Sequence, residues 1–410
     1  MNKPESAQAI SAVDDILASV GLGHGSRKTR TGCWQNGERQ PRQSVAKPAA
    51  ASRASASDEG PLRAADWQRY AWLRHGFSQR AGGLSTVYSQ NDAEGQGTLN
   101  LGWTEHDSPA NVAENRRRFL AQILEPSSNC CRPEMNCHSE RSEESPHFAR
   151  SVAVYPFGKN ALDGAADSST TALPIPEPGL VTLRQIHSGI IRIIEAEDCA
   201  DPSRLSTPDG YAVLRGDGAM TDQPGVYLGI QTADCVPVLV ADVRKHVVAA
   251  FHAGWRGTLG RIVERGIGTM RLRYGSRPQD LVAAIGPSIG PCCYSVGEEL
   301  RFDFHSQFAY APELFTEVYD SDPIHEKYPL LFLTARAPGH SNIGPQIHLN
   351  LWEANRRQLV DAGVSARRIT VVGECTACSG LGTAAGRKYF SHRAESGFTG
   401  RMMSAIGMAR

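Results

Sequence analysis

The stretch QTADCVPVLVADVRKHVVAAFHAGWRGT (231–258) decides the reading of the fold. Its two apolar runs, Val236–Ala241 and Val247–Phe251, each have the length of a buried strand, and a short polar segment joins them. After Gly257 the period changes. Leu259, Ile262, Val263, Ile267 and Met270 fall on one face of a helix, with Thr258 as its expected cap. Outward from this centre, Val181–Ile186, Ile190–Ile194, Val226–Gln231, Leu281–Ile285 and Ile369–Val372 also read as strands. A second helix spans roughly Leu351–Ala362, carries Trp352, Leu359 and Val360 as its apolar residues, and stops at Gly363. Strands lie side by side in sequence before each helix, without strict alternation. The expected class is therefore α+β, a layered domain rather than a doubly wound parallel sheet.

Two segments hold too little apolar surface to offset the entropy of ordering them. Residues 1–61 are expected to be a disordered tail, since between Gly23 and Gly60 the only aliphatic side chain larger than Ala is Val45. A short amphipathic helix fits residues 10–20 within it. Residues 126–179 read as a disordered insertion into a surface loop, and Cys130, Cys131, Cys137 and His138 inside it match no common zinc spacing. The patterned remainder, 62–125 and 180–410, is expected to form one domain.

The chain balances 43 Lys+Arg against 43 Asp+Glu, so it carries no electrostatic footprint for nucleic acid or an anionic membrane surface. No stretch reaches the roughly 18 consecutive apolar residues of a membrane span. Asp14 and Asp15 interrupt the one apolar segment near the start, which argues against a signal peptide and for a cytoplasmic location. Ten cysteines in 410 residues are too dilute for a disulfide scaffold and read as reduced thiols.

Three ligand-type side chains lie at strand ends: His187 in RQIHSG, Cys235 in TADCVP and His252 in AAFHAG. Cys235 and His252 are 17 residues apart across one strand–turn–strand, which can return His252 to the level of Cys235 on the adjacent strand. Two His and one Cys suit Zn²⁺ and leave the fourth tetrahedral position open for water or substrate. The same residues also read as a thiolate–imidazole pair, with His252 as base for a nucleophilic Cys235. Packing alone would account for a buried Cys equally well. Gly254 and Gly257 flank Trp255 and Arg256 before the helix, a turn that suits an anion, with Arg256 as a charge-assisted contact. Cys292 and Cys293 in IGPSIGPCCYSVG (285–297) would face opposite ways along a strand, so packing is their expected role. Cys375 and Cys378 form a lone CTAC with no second pair at ribbon spacing. Arg80, Arg393 and Arg401 are further candidates for anion contacts.

The motifs QIH (185–187), TADCVPVLVAD, HAGWRGT, IGPSIGPCCYSVG, ECT (374–376) and TGRM (399–402) together closely resemble the YfiH-like laccase-domain family. RHGFSQRAGGLS (74–85), TLNLGW (98–103) and NRRRFL (115–120) match its N-terminal part. The resemblance implies a single four-layer α/β/β/α domain. It implies zinc, with copper the alternative, on His187, Cys235 and His252, and substrate contacts near Arg80, Gln185, Arg256 and Arg393. The implied activity is phosphorolysis of adenosine, inosine, guanosine and methylthioadenosine, with adenosine deamination. His392 and Asp234 are the candidates for acid or base. Purine nucleosides and phosphate are the expected partners, with the chain a monomer or weak homodimer. One departure is FSHRA (390–394), where the family usually has FSYRR, so any contact made by that Tyr or second Arg is missing. An editing hydrolase acting on miscoupled nucleotide-linked muramyl amino acids is the alternative. Copper-dependent polyphenol oxidation ranks below both, because the chain has none of the His-X-His pairs that cluster copper.

Overall fold

Ten strands make two sheets. In chain order they are β1 Leu73–Phe77, β2 Gly179–Thr182, β3 Ile191–Ile193, β4 Gly218–Thr221, β5 Val226–Thr232, β6 Val236–Asp242, β7 Val247–Ala253, β8 Leu281–Ile285, β9 Ile369–Val371 and β10 Met402–Met408. The four-stranded sheet runs β1–β10–β5–β2 and the six-stranded sheet runs β9–β8–β6–β7–β4–β3. The helices used below are α1 Pro109–Leu124, α2 Trp255–Leu259, α3 Ile262–Tyr274, α4 Glu298–Gln307 and α5 Leu351–Asp361. This computed structural model describes residues 60–89, 97–125, 179–318, 346–383 and 386–409. The expected tail and its short helix, the insertion and the Cys130–His138 cluster lie outside the described residues, apart from the boundary positions 60, 61 and 179.

Side-chain alternation along the central strands separates the layers. In β6, Leu239 and Ala241 enter the core between the sheets, while Val236, Val238 and Val240 face the helices. In β7, Val248 and Ala250 point inward, while Val247, Ala249, Phe251 and Ala253 meet Ile262, Val263, Ile267 and Met270 of α3. β5 and β10 supply Leu228, Ile230, Ile406 and Met408 to the shared core. Their other faces, with Tyr227, Met403 and Ala405, pack under Phe119, Leu120 and Ile123 of α1. The order is thus helix, sheet, sheet, helix, an α+β sandwich of four layers. Strands buried on both faces explain the near-continuous apolar runs.

Each of the seven expected strands has a counterpart, though the first runs Gly179–Thr182 and stops short of the expected end at Ile186, and β6–β7 is an antiparallel pair with Val236 opposite Ala253 and Pro237 opposite His252. The expected helix after Gly257 is two helices, α2 and α3, broken at Arg261, whose φ is 55°. Thr258 does not cap it. Thr258 sits buried inside α2 and donates to the Ala253 carbonyl at 3.2 Å. α5 begins at Asn350, whose side chain accepts from the Glu353 amide at 3.0 Å, and it ends before Gly363 at φ 93°. β1, β4 and β10 carry Gly76, Gly218 and Gly407 among short or mixed residues, so their composition does not announce a strand.

His75 on β1 is enclosed. Its Nε2 accepts the Ala64 amide at 2.8 Å, and its ring lies 4.6 Å from that of Trp67. Burial first, then the nearby Arg63 charge, holds its pKa down at about 3. The unfolded chain takes up this proton near pH 6.5, whereas the folded chain does not until about pH 3. Stability therefore falls as pH drops below 6.5, by about 3 kcal/mol at pH 4 from this group alone. Denaturant titrations at pH 7 and 4 are expected to show a smaller drop for His75→Gln, whose amide oxygen can still accept from Ala64. Equal drops in both proteins would contradict this.

Candidate active site

Strand register assembles the site. Cys235 occupies the tight link between β5 and β6, and His252 is the penultimate residue of β7. His187 follows β2, in a loop returning toward β3. The ligand atoms of His187, Cys235 and His252 all lie within 4.8 Å of one another, and Cys235 Sγ is 3.8 Å from His187 Nε2. The two imidazoles meet edge to face, with centroids 4.8 Å apart. A tetrahedral zinc held by one S and one N separates those atoms by ~3.5 Å, so the three side chains are spaced as one shell of ligands. His252 is buried, Cys235 half-buried and His187 exposed, which leaves one side of the cluster open.

Asp217, immediately before β4, holds this arrangement together. It is fully buried. Its carboxylate accepts from the backbone amides of Ile186 (3.1 Å), His187 (2.9 Å) and Ser188 (2.6 Å), from Ser188 Oγ (2.7 Å), and from His252 Nδ1 (2.8 Å). Its own carbonyl accepts the His252 amide at 2.6 Å. One residue therefore fixes the backbone of His187, which has the uncommon φ of 57°, and the ring of His252. With Nδ1 committed to Asp217, His252 Nε2 is the nitrogen left for the cluster, the carboxylate–histidine arrangement that supports metal ligands. Asp217 was missed in the sequence because it sits in LRGDGAM with no motif around it. Its strand register against β7 is the signal.

Electrostatics follow the same geometry. Burial opposes the Cys235 thiolate, but the His252 charge and the contact with His187 outweigh it and bring the pKa down to about 6. Burial likewise opposes the His252 cation, yet Cys235 and Asp217 raise it to about 9. Asp217 is held down at about 2 by its His252 and Ser188 donors despite burial. Each partner favours the charged form of the other, and a metal ion held here would require the thiolate and a neutral His252.

Gly254 is required by close approach. A Cβ there would lie 2.9 Å from Cys235 Sγ and 3.4 Å from His187 Cδ2. Gly254→Ala is expected to push the thiol aside and weaken binding of a divalent metal ion roughly tenfold, measured by competition with a chromophoric chelator; unchanged affinity would contradict a metal site here.

The remaining expected residues divide. Gln185 is occupied with backbone: its Nε2 donates to the Gln231 carbonyl at 2.7 Å and its Oε1 accepts the Gln231 amide at 2.8 Å. Arg80 is buried, ion-paired to Glu395 at 2.6 Å, bonded to the Tyr88 carbonyl and laid over Phe390. Its guanidinium clamps the C-terminal loop through Glu395. Arg256 is exposed on α2, with its guanidinium 4.3 Å from the Trp255 ring centroid. Arg393 donates to Ser295 O at 2.8 Å and Ser295 Oγ at 3.0 Å, above Tyr294. Arg401 bonds its own neighbours, Thr399 O and Gly400 O. Asp234 does not orient Cys235. Its two oxygens accept from Thr376 Oγ1 and the Arg393 amide, both at 2.6 Å. His392 is exposed. Burial and then the Cys235 charge push the Tyr294 phenol up to about 12, so its hydroxyl is neutral.

The four-layer α+β fold thus carries a buttressed His₂Cys cluster whose side chains could hold a metal ion. The chain matches the family model described as "Multi-copper polyphenol oxidoreductase laccase" over residues 74–172 and 159–409, and it belongs to that family. It is 28% identical to a "Purine nucleoside phosphorylase YlmD" from Geobacillus stearothermophilus, over 82% of this chain and 94% of that one. It is 34% identical to an "Adenosine deaminase RL5" from an unknown prokaryotic organism, over 48% of this chain and 66% of that one. Among solved structures, YfiH from Bacillus licheniformis superposes with TM-score 0.56 at 25% identity, covering 85% of this chain and 97% of its own. YlmD from Geobacillus stearothermophilus gives 0.55 at 26%, covering 87% and 98%. Relatives of this family carry names of nucleoside-processing enzymes, and this chain is an enzyme of the same family. Among the described residues no helix is long and apolar enough to cross a membrane.

Proposed function

We propose that the chain is a zinc-dependent purine nucleoside phosphorylase that converts adenosine, inosine, guanosine or methylthioadenosine plus phosphate to base and ribose 1-phosphate, and also deaminates adenosine. The observation that carries the reading is the His187–Cys235–His252 cluster, open on one side and fixed from behind by Asp217. Zinc bound there supplies a Lewis acid beside the substrate. His187, Cys235 and His252 would hold it, and Asp217 would keep the His252 ring aligned. Arg256, exposed on the adjoining helix, is suited to orient phosphate, and Tyr294 offers a neutral hydroxyl to the nucleoside. Arg393 supports Tyr294 from above. Copper is the alternative occupant, since imidazole and thiolate accept it too. The reading places the chemistry within 62–410, assigns no part of it to 1–61 or 126–179, and keeps a cytoplasmic setting where nucleosides and phosphate are the partners.

The test is product chromatography of adenosine incubated with and without phosphate. Adenine and ribose 1-phosphate appearing only with phosphate supports phosphorolysis; adenine and free ribose in both would mean hydrolysis. One observation favours a second reading, a cysteine hydrolase of the editing type: Asp217, His252 and Cys235 are also ordered as orienting acid, base and nucleophile. That activity would survive metal removal, and phosphorolysis would not.

A further inference from the structure

A second cluster of ligand side chains stands apart from the one above. Cys292, Cys293, Cys375 and Cys378 bring four sulfurs within 4.8 Å of one another, with Cys292 Sγ 3.6 Å from Cys378 Sγ. Neither pair announces this from its spacing, and the structure shows why the tandem pair can converge. Cys292 and Cys293 lie in a turn, not a strand: the amides of Cys293 and Tyr294 both donate to the Gly290 carbonyl at 3.0 Å, so successive side chains need not oppose each other. The other pair is brought alongside by backbone pairing beyond β8 and β9. Ser288 bridges to Cys375, its amide donating to the Glu374 carbonyl and its carbonyl accepting from Thr376.

We propose that these four cysteines form a structural tetrathiolate site for Zn²⁺. The spacing and two observations beyond it support an ion there. The Cys292–Cys378 separation of 3.6 Å, with all four sulfurs within 4.8 Å of one another, fits the ~3.8 Å edge of a tetrahedron with zinc–sulfur bonds of about 2.3 Å. The Cys375 sulfur accepts amides from Gly290 at 3.2 Å and from Ala377 and Cys378, so backbone dipoles converge on one thiolate as they do in metal knuckles. Gly290 has no room for a side chain: a Cβ would lie 2.7 Å from Trp352 and 3.2 Å from Cys292 Sγ. Trp352, Ile289 and Ala377 wall the cluster on the protein side.

Binding converts four thiols to thiolates and releases four protons, giving a site of net charge −2 that the converging amides stabilise. Its mechanical consequence reaches the first cluster. Asp234, the neighbour of Cys235, accepts from Thr376 inside the CTAC turn, and its carbonyl accepts from Ile289 before the tandem cysteines. Tyr294 directly follows Cys293. Zinc on the four sulfurs thus fastens the two loops that carry Tyr294 and the Asp234 contacts.

The proposal does not depend on which reaction the first cluster performs. The experiment is metal analysis of reduced protein purified without chelator, with cobalt substitution as the spectroscopic readout. Wild type is expected to hold about two zinc ions per chain, and Cys235→Ala about one. Cobalt in Cys235→Ala should give an intense near-ultraviolet thiolate band of four-sulfur strength, and Cys292→Ser/Cys378→Ser should lose it. Should that double variant fail to fold, stepwise mercurial titration of wild type must release one zinc with four thiols. A zinc-free Cys235→Ala with all four thiols freely titrating, or a Cys292–Cys378 disulfide in the reduced preparation, would overturn the assignment.

Discussion

Replacing Cys235 with alanine is expected to cut kcat/KM for phosphorolysis of adenosine by on the order of 10³ or more, the loss typical of removing a metal or oxyanion contact. The thiol is half-buried at a strand-to-strand link and contributes no core volume to either sheet. Thermal stability should therefore move little, apart from what bound zinc itself adds. Activity and the proposed first-site zinc are expected to disappear together in a folded protein. A folded Cys235→Ala enzyme retaining more than about a tenth of its activity would contradict the assignment of Cys235.

Asp217→Asn has the second large effect, on both metal and fold. The carboxylate accepts five hydrogen bonds from four residues, all from donors. An asparagine offers one oxygen and turns an NH₂ toward the rest, leaving buried donors unmatched. Unfolding free energy should fall by about 3 kcal/mol. Zinc affinity should fall roughly 10- to 100-fold, because the His252 ring loses the partner that sets its tautomer. The pH dependence gives an independent check. Asp217 is held at about 2 against an ordinary 3.8, so its stabilisation is complete above pH 4 and is lost as pH falls toward 2. Wild type should lose this increment on acidification and Asp217→Asn should not. Equal acid sensitivity and unchanged zinc affinity would sink the role given to Asp217.

The central strands and the three side chains of the candidate site were legible because one physical pattern produces both. Apolar runs buried on two faces mark β5 to β8, Cys235 and His252 stand where those runs meet their turns, and His187 follows β2. What stayed hidden depends on contacts between distant segments. Asp217 reads as an ordinary acidic residue until β4 is laid beside β7. The four-cysteine cluster joins residues 82 or more positions apart, and the Gly-Pro turn at 290–291 that redirects the tandem pair looks in sequence like a simple strand end. Arg80 and Gln185 show the opposite case. Their types suit ligands, but Glu395 and the Gln231 backbone already satisfy them. The helix break at Arg261 was illegible because the apolar stripe continues across it, and only the left-handed backbone there interrupts the turn.

The most direct measurement is phosphate-dependent conversion of adenosine by wild-type protein before chelation, after chelation, and after zinc is restored. The account predicts adenine and ribose 1-phosphate from the native protein, neither from the stripped protein, and recovery with one zinc at the His187–Cys235–His252 cluster. Full phosphorolysis by stripped protein that holds no metal at that cluster would contradict it.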